Sequence, residues 1–290
     1  MTSFRGLESS VFQQLADLVK RDSVNYEKAG WVLGSAKSVV EIRKYDNSGI
    51  KMGLGDLPWR NPSLVPFDYW ITANSIYPVP WNSAHFKQLI KSNTKVLISS
   101  VSAESSLFEL NNAQISLQQL NISTDLTVYD VRHFGGKLCQ PERNCCKFAS
   151  TFIKSKSIQE LINESNHSNV PLYSTGSTVA LHGYALAVLL RCNPIYLCGI
   201  EIPTVQKNYS YHKNWKMPVE TFPNKFRRLI HNLYQGKQFT PSPFAGETFN
   251  QIISDFQAIA GFAHDIGIDT FVTSKSSALN QVNGITFKSN

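Results

Sequence analysis

Two stretches of this 290-residue chain concentrate side chains able to do chemistry. Tyr209-Ser210-Tyr211-His212 sets two phenols and an imidazole within four residues. Phenol hydroxyls bind a departing phosphate without a metal, and an imidazole works as acid or base near neutral pH. An exposed, adaptable loop has the same composition, so the chemical reading rests on where the loop sits. The second stretch, Tyr173-Ser174-Thr175-Gly176-Ser177-Thr178, opens an apolar run that ends at Arg191. Small hydroxylated residues around a glycine cap a helix start and leave amides free for an anion.

Strand ends carry the other candidates. Gly30-Trp31-Val32-Leu33 reads as a buried strand feeding the turn Gly34-Ser35-Ala36-Lys37-Ser38. A glycine there lets a phosphate approach the backbone, with the next amides facing it. Ala36 stands where a P-loop needs glycine, so this is no P-loop, and a plain strand-to-helix turn is the competing reading. Gly53-Leu54-Gly55-Asp56 closes a second strand with a carboxylate that takes a ribose hydroxyl or caps a turn. Thr72-Ala73-Asn74-Ser75 closes a third, where Asn74 reads a base or sugar edge or forms an Asx-turn. Ile195 to Gly199 is another strand, and Glu201 puts a carboxylate just beyond it. His182, on the apolar face of the 178–191 run, reads as a packing residue.

The elements that must position these groups alternate along the chain. Strand-like runs recur at 30–33, 50–54, 69–73, 95–99, 126–129, 195–199 and 270–273, with helical patterns at 84–91, 157–163, 178–191 and 249–266. An opening amphipathic helix is expected over 8–21. Short apolar strands alternating with helices predict an α/β fold, a mostly parallel sheet with helices on both faces. Residues 201–247 are weakly periodic and rich in Tyr, Lys, His, Asn and Pro. Following a strand, they read as a lid-like insertion on the carboxyl side of the sheet, where open α/β sheets bind ligands. One domain, 1–290, is expected.

Composition narrows the function classes. With 42% hydrophobic and 17% charged residues, the chain has enough apolar side chains for a large core, and disorder is not expected. No apolar run reaches the roughly 18 residues of a membrane span. The opening residues lack the apolar core of a signal peptide, so a cytoplasmic protein is expected, with the inner face of a membrane a compatible place. Lys and Arg total 28 against 21 Asp and Glu, a net +7 that suits nucleotides, acidic glycans or lipid headgroups. The charge is thinly spread, which argues against nucleic acid. Five cysteines fit free thiols in a reducing compartment. Cys139, Cys145 and Cys146, with His133 upstream, have none of the common zinc spacings, and no metal site is expected. No D-x-D occurs, against metal-dependent sugar transfer.

Taken in order, Gly34 to Ser38, Asp56, Asn74, Ser174 to Ser177, Ile195 to Glu201 and Ile266 to Leu279 resemble the bacterial lipooligosaccharide sialyltransferases. They also resemble a related group holding motility-accessory-factor glycosyltransferases and archaeal 6-hydroxymethylpterin diphosphokinases. The resemblance covers about two thirds of the chain and is strongest from Ser174 to Glu201. It implies a Rossmann-like domain that binds CMP-sialic acid and inverts the anomeric centre without metal or other cofactor. It carries nucleotide binding onto Gly34, Ser35, Asp56, Asn74, Thr175, Gly176, Ser177 and Glu201, and assistance to the leaving phosphate onto Tyr209. The sequence departs from the pattern at three points. Ala36-Lys37-Ser38 replaces the usual Gly-Pro-Ser turn, Pro203 stands at the second tyrosine position, and Phe244-Ala245-Gly246-Glu247-Thr248 lacks the histidine base.

The expected activity is transfer of a sialic-acid-like sugar from a CMP donor to a glycan hydroxyl. Tyr209 and Tyr211 would assist the leaving phosphate, and His212 or Glu247 would be the base. The partners are then a nucleotide sugar and a glycan acceptor. Contact with a membrane surface and self-association are both compatible with the charge. The alternatives are a magnesium-dependent pterin or nucleoside diphosphotransferase, with Asp56 and Glu201 as ligands, and a nucleotide-binding protein without catalysis.

Overall fold

A computed structural model of the chain describes residues 28–45, 48–55, 57–64, 66–72, 94–99, 126–129, 152–161, 163, 178–202 and 247–288. The apolar runs form strands β1 (Gly30–Leu33), β2 (Ile50–Leu54), β3 (Tyr69–Thr72), β4 (Lys95–Ser99), β5 (Leu126–Tyr129), β6 (Ile195–Cys198), β7 (Thr270–Val272) and β8 (Ile285–Phe287). They lie in one sheet in the order β5-β4-β3-β2-β1-β6-β7-β8, and every neighbouring pair is parallel. Progress from β1 runs outward through β2 to β5, then jumps back to β6 on the other flank. The order therefore reverses between β1 and β6, the place where open α/β sheets leave a crevice beyond the strand ends.

Two long helices cover one face, α1 (Val179–Leu189) and α2 (Glu247–Asp265). From Ala180 to Leu189 every residue of α1 is buried. A helix apolar on all sides needs neighbours on all sides; α1 has the sheet beneath it and α2 alongside, where Tyr184 stacks on Phe256 at 5.9 Å. Gly183 lets the helix sit directly on the strands, since a Cβ there would lie 2.7 Å from both Val32 Cγ1 and Leu54 Cδ2. Buried Tyr184 and Thr270 satisfy each other by a 2.8 Å hydroxyl bond. His182, 1% exposed, is a buried member of α1.

The opposite face carries a 3-10 helix, Lys37–Lys44, in line with the strand-to-helix turn that was one reading of Gly34 to Ser38, although no helical span was assigned there. Its N-cap, Ala36, has no side-chain acceptor, which is why residue type gave no helix-start signal there. On this face Trp31 stacks on Tyr196 at 4.2 Å, and Tyr196 on Phe271 at 5.6 Å, an aromatic row across β1, β6 and β7. The strand β8 is a second difference. Only Ile285 of its three residues is buried, and only Asn283-Gly284, with Gly284 at φ +85°, marks the turn that admits it. The helices expected at 8–21 and 84–91, and nearly all of the lid-like segment at 201–247, lie outside the described residues.

Two glycines should respond oppositely to the same change. A Cβ on Gly34 would stand 2.3 Å from the Gly199 carbonyl oxygen, whereas one on Gly261, inside α2, meets nothing within 4 Å. Gly34→Ala should lose about 3 kcal/mol of unfolding free energy, and Gly261→Ala should gain about 0.5–1 kcal/mol, both read from urea midpoints. The thiols give a pH test. Burial pushes Cys192 up to about 12 and Cys198 up to about 11, the Thr273 hydroxyl acting against burial at Cys198. Below 9.0, the ordinary value, folded and unfolded chains both keep these protons. Above it the unfolded chain ionises first, so stability should fall as pH rises from about 9 toward about 11. Both thiols should resist iodoacetamide at pH 8 until urea is added, as read by mass spectrometry.

Candidate functional site at the carboxyl edge of the sheet

The site is built where β1 and β6 end side by side. Leu33 pairs with Cys198, and the register continues past the strands: the Gly34 amide donates to Cys198 O at 2.8 Å, and the Ala36 amide donates to Gly199 O at 3.1 Å. Gly199 takes φ +68°, a left-handed conformation suited to glycine, and a Cβ on it would stand 2.6 Å from Val39 Cβ. Two glycines thus let two strand exits touch. The close approach anticipated at Gly34 is made by the neighbouring backbone, and the Gly34 and Ala36 amides are already engaged. Gly34 therefore shapes the turn, and Ser35 is the half-buried polar residue at its bend.

Beyond Gly199 the chain passes buried Ile200, half-buried Glu201 and buried Ile202. Glu201 thereby stands on the rim next to the Gly34 turn, so Gly34, Ser35 and Glu201 are brought to adjacent strand ends. The loop after β7 holds Glu201 in turn. Ser274 Oγ donates to Glu201 Oε1 at 3.3 Å and lies 2.9 Å from Ser276 Oγ. Ser277 Oγ donates to Ile200 O at 2.8 Å and accepts from the Leu279 amide at 3.2 Å. The sequence reading used Ser276 and Ser277 only as part of a resemblance and gave Ser274 no role. A Ser-Lys-Ser-Ser run directly after a strand was the signal available.

On the other flank, Gly55 follows β2 with φ +52°; its amide donates to Ile71 O and its carbonyl accepts from Trp70 Nε1, both at 2.8 Å. The start of α1 lies beside it, with Val179 Cγ1 3.8 Å from where a Gly55 Cβ would be. Thr178 is the N-cap, its hydroxyl accepting from the Ala180 amide at 3.4 Å. The positive end of the α1 dipole thus reaches the carboxyl edge beside β2, a position that favours an anion. The far end of α1 is at the amino edge, where Cys192 packs against Gly30. Glu247 begins α2, which runs back along the sheet to end just before β7, so Glu247 is on the carboxyl side. Asp56, Asn74, Thr175, Gly176, Ser177, Tyr209, Tyr211 and His212 lie outside the described residues, as do Cys139, Cys145 and Cys146.

One buried hydroxyl, Ser38 Oγ, has no hydrogen-bond partner among the described residues. The buried Cys198 thiol lies 3.9 Å from Ser38 O and 3.5 Å from Val39 O. A cavity of about 380 Å³ opens at the opposite, amino edge, with Ile158, Arg191, Asn193 and Ile268 in its wall. The carboxyl ends of α1 and α2 meet there, so the helix dipoles disfavour an anion at that edge. Among the described residues no group of three His, Cys, Asp or Glu could hold a metal ion. Among them, too, no helix is long and apolar enough to cross a membrane.

Ser277 is the tie between the β6 exit and the β7 loop. Ser277→Ala removes a buried donor from Ile200 O and should lower unfolding free energy by about 1–3 kcal/mol, measured by urea denaturation. An unchanged midpoint would show the tie to be dispensable.

No protein-family model matches this sequence, and no curated protein matches it. Among solved structures, the chain is similar to the alpha-2,3-sialyltransferase from Campylobacter jejuni in apo form. The likeness has a TM-score of 0.40 at 11% sequence identity, and covers 90% of this chain and 80% of that chain.

Proposed function

We propose that the chain is a metal-independent, inverting glycosyltransferase that moves a sialic-acid-like sugar from a CMP donor to a glycan hydroxyl. The observation that carries this reading is the convergence at the carboxyl edge. The β1 turn and the exit of β6 meet at the reversal of strand order, with the positive end of α1 beside neighbouring β2, where a phosphorylated nucleoside fits an α/β sheet. The residue pattern from Ser174 to Glu201 supports the choice of CMP.

In this reading Gly34 and Ser35 shape the wall beside the phosphate, and Thr175, Gly176 and Ser177 lead into α1 and offer amides to it. Asp56 takes the ribose, Asn74 the base or sugar edge, and Glu201 the donor's hydroxyls. The acceptor oxygen attacks the anomeric carbon while the bond from that carbon to the phosphate oxygen breaks, and CMP leaves. Tyr209 and Tyr211 donate hydrogen bonds to the departing phosphate. His212 or Glu247 takes the acceptor proton, help worth roughly 10²–10⁴-fold in rate. The lid-like segment 201–247 carries the acceptor side.

Calorimetry with CMP, ATP and GTP, each with and without EDTA, tests this. CMP should bind, and EDTA should leave the affinity unchanged. ATP binding that vanishes with EDTA would favour diphosphate transfer. CMP binding without turnover on any glycan, unaltered by His212→Ala or Glu247→Ala, would favour a silent nucleotide-binding protein. Binding of none of the three sinks the site.

A further inference from the structure

The sheet order divides the carboxyl edge into two halves about β1. Strands β2 and β3 lie on one side, β6 and β7 on the other. With neighbouring strands about 4.8 Å apart, the ends of β2 and β7 are three spacings, roughly 14 Å, apart. A ligand that places its nucleoside over β2 and β3 and its phosphate at the centre therefore extends its remaining group over β6 and β7.

That second half has its own polar set. Ser274, 4% exposed, donates to Glu201 Oε1 at 3.3 Å and lies 2.9 Å from the hydroxyl of exposed Ser276. The loop carrying both serines is tied by hydrogen bonds. Asn280 Nδ2 donates to Ser274 O and Lys275 O at 3.0 Å and to Ser277 O at 2.8 Å, and Ser277 Oγ ties the loop to Ile200 O. A carboxylate accepts hydrogen bonds only, and it repels a phosphate. Held by one hydroxyl among the described residues and half exposed, Glu201 keeps acceptor capacity toward the rim. What it suits is the hydroxyl-bearing part of a sugar, with any acid group of the ligand turned away from it.

We propose that Glu201, Ser274 and Ser276 form the subsite for the transferred group, a polyhydroxylated sugar, and that Ser274 is the residue that positions the Glu201 carboxylate. This rests on the nucleotide-sugar reading and deepens it: Glu201 serves the sugar half of the ligand, not the nucleoside half.

The test compares CMP with a non-hydrolysable analogue of CMP-N-acetylneuraminate by calorimetry on the full chain, with circular dichroism to confirm that each variant folds. The wild type should bind the analogue more tightly than CMP. Glu201→Gln and Ser274→Ala should each shrink that margin about tenfold while CMP itself binds within about twofold of wild type. Ser274→Thr, which keeps the hydroxyl, should hold the margin, and the double variant should lose no more than Glu201→Gln alone. An equal loss for CMP and the analogue, or no loss for either, overturns the subsite and leaves nucleotide binding intact. A wild type that binds CMP but gains nothing from the sugar overturns it too. A wild type that binds neither overturns the nucleotide-sugar reading, and the subsite with it.

Discussion

Everything at the carboxyl edge depends on the contact between Gly34 and Gly199. Parallel strands normally diverge into separate loops once their ladder ends, but here two hydrogen bonds carry the pairing of β1 and β6 past the last strand residue. Either glycine with a side chain would collide with the other's exit or with Val39. Because the exits stay in contact, the Gly34 turn and the rim that bears Glu201 occupy fixed places relative to each other. A looser pairing would leave them on independent loops.

Around that contact the structure sorts its charges by edge. The amino end of α1 and the half-buried Glu201 lie at the carboxyl side, and the carboxyl ends of α1 and α2 lie with Arg191 at the other. Helix direction does this: α1 and α2 both return antiparallel to the strands, so their amino termini arrive where the strands leave. An anion is then favoured beside β2 and β1, while the acceptor-only carboxylate of Glu201 governs the β6 side. The same crossover logic explains why α1 is apolar all round, with no polar stripe to betray which side faces the sheet.

Much of the architecture was legible in residue order. The strands at 30–33, 50–54, 95–99 and 126–129 have the bounds that their apolar runs suggested, and α1 and α2 differ from the expected spans by one to two residues at their ends. Short buried strands between helical periods carry that signal locally. β8 escaped because only Ile285 of its three residues is buried, and the span of the 3-10 helix at Lys37–Lys44 escaped because Ala36 caps it without a side-chain acceptor. Ser274 escaped for a different reason: a hydroxyl becomes informative only when its partner, 73 residues away in sequence, is known.

The amino-acid sequence by itself determined the class of fold, the strands that build the sheet and the glycine and carboxylate that mark the ends of β1 and β6, since these follow from local hydrophobic pattern and backbone permissiveness. Only the tertiary structure decided what Gly34 is for. A glycine at a strand exit is compatible with a phosphate or with another strand, and the parallel pairing of β1 with β6 put the Gly199 carbonyl in that space. It likewise decided that Glu201 has a serine partner, because strand order alone brings the β7 loop beside the β6 exit.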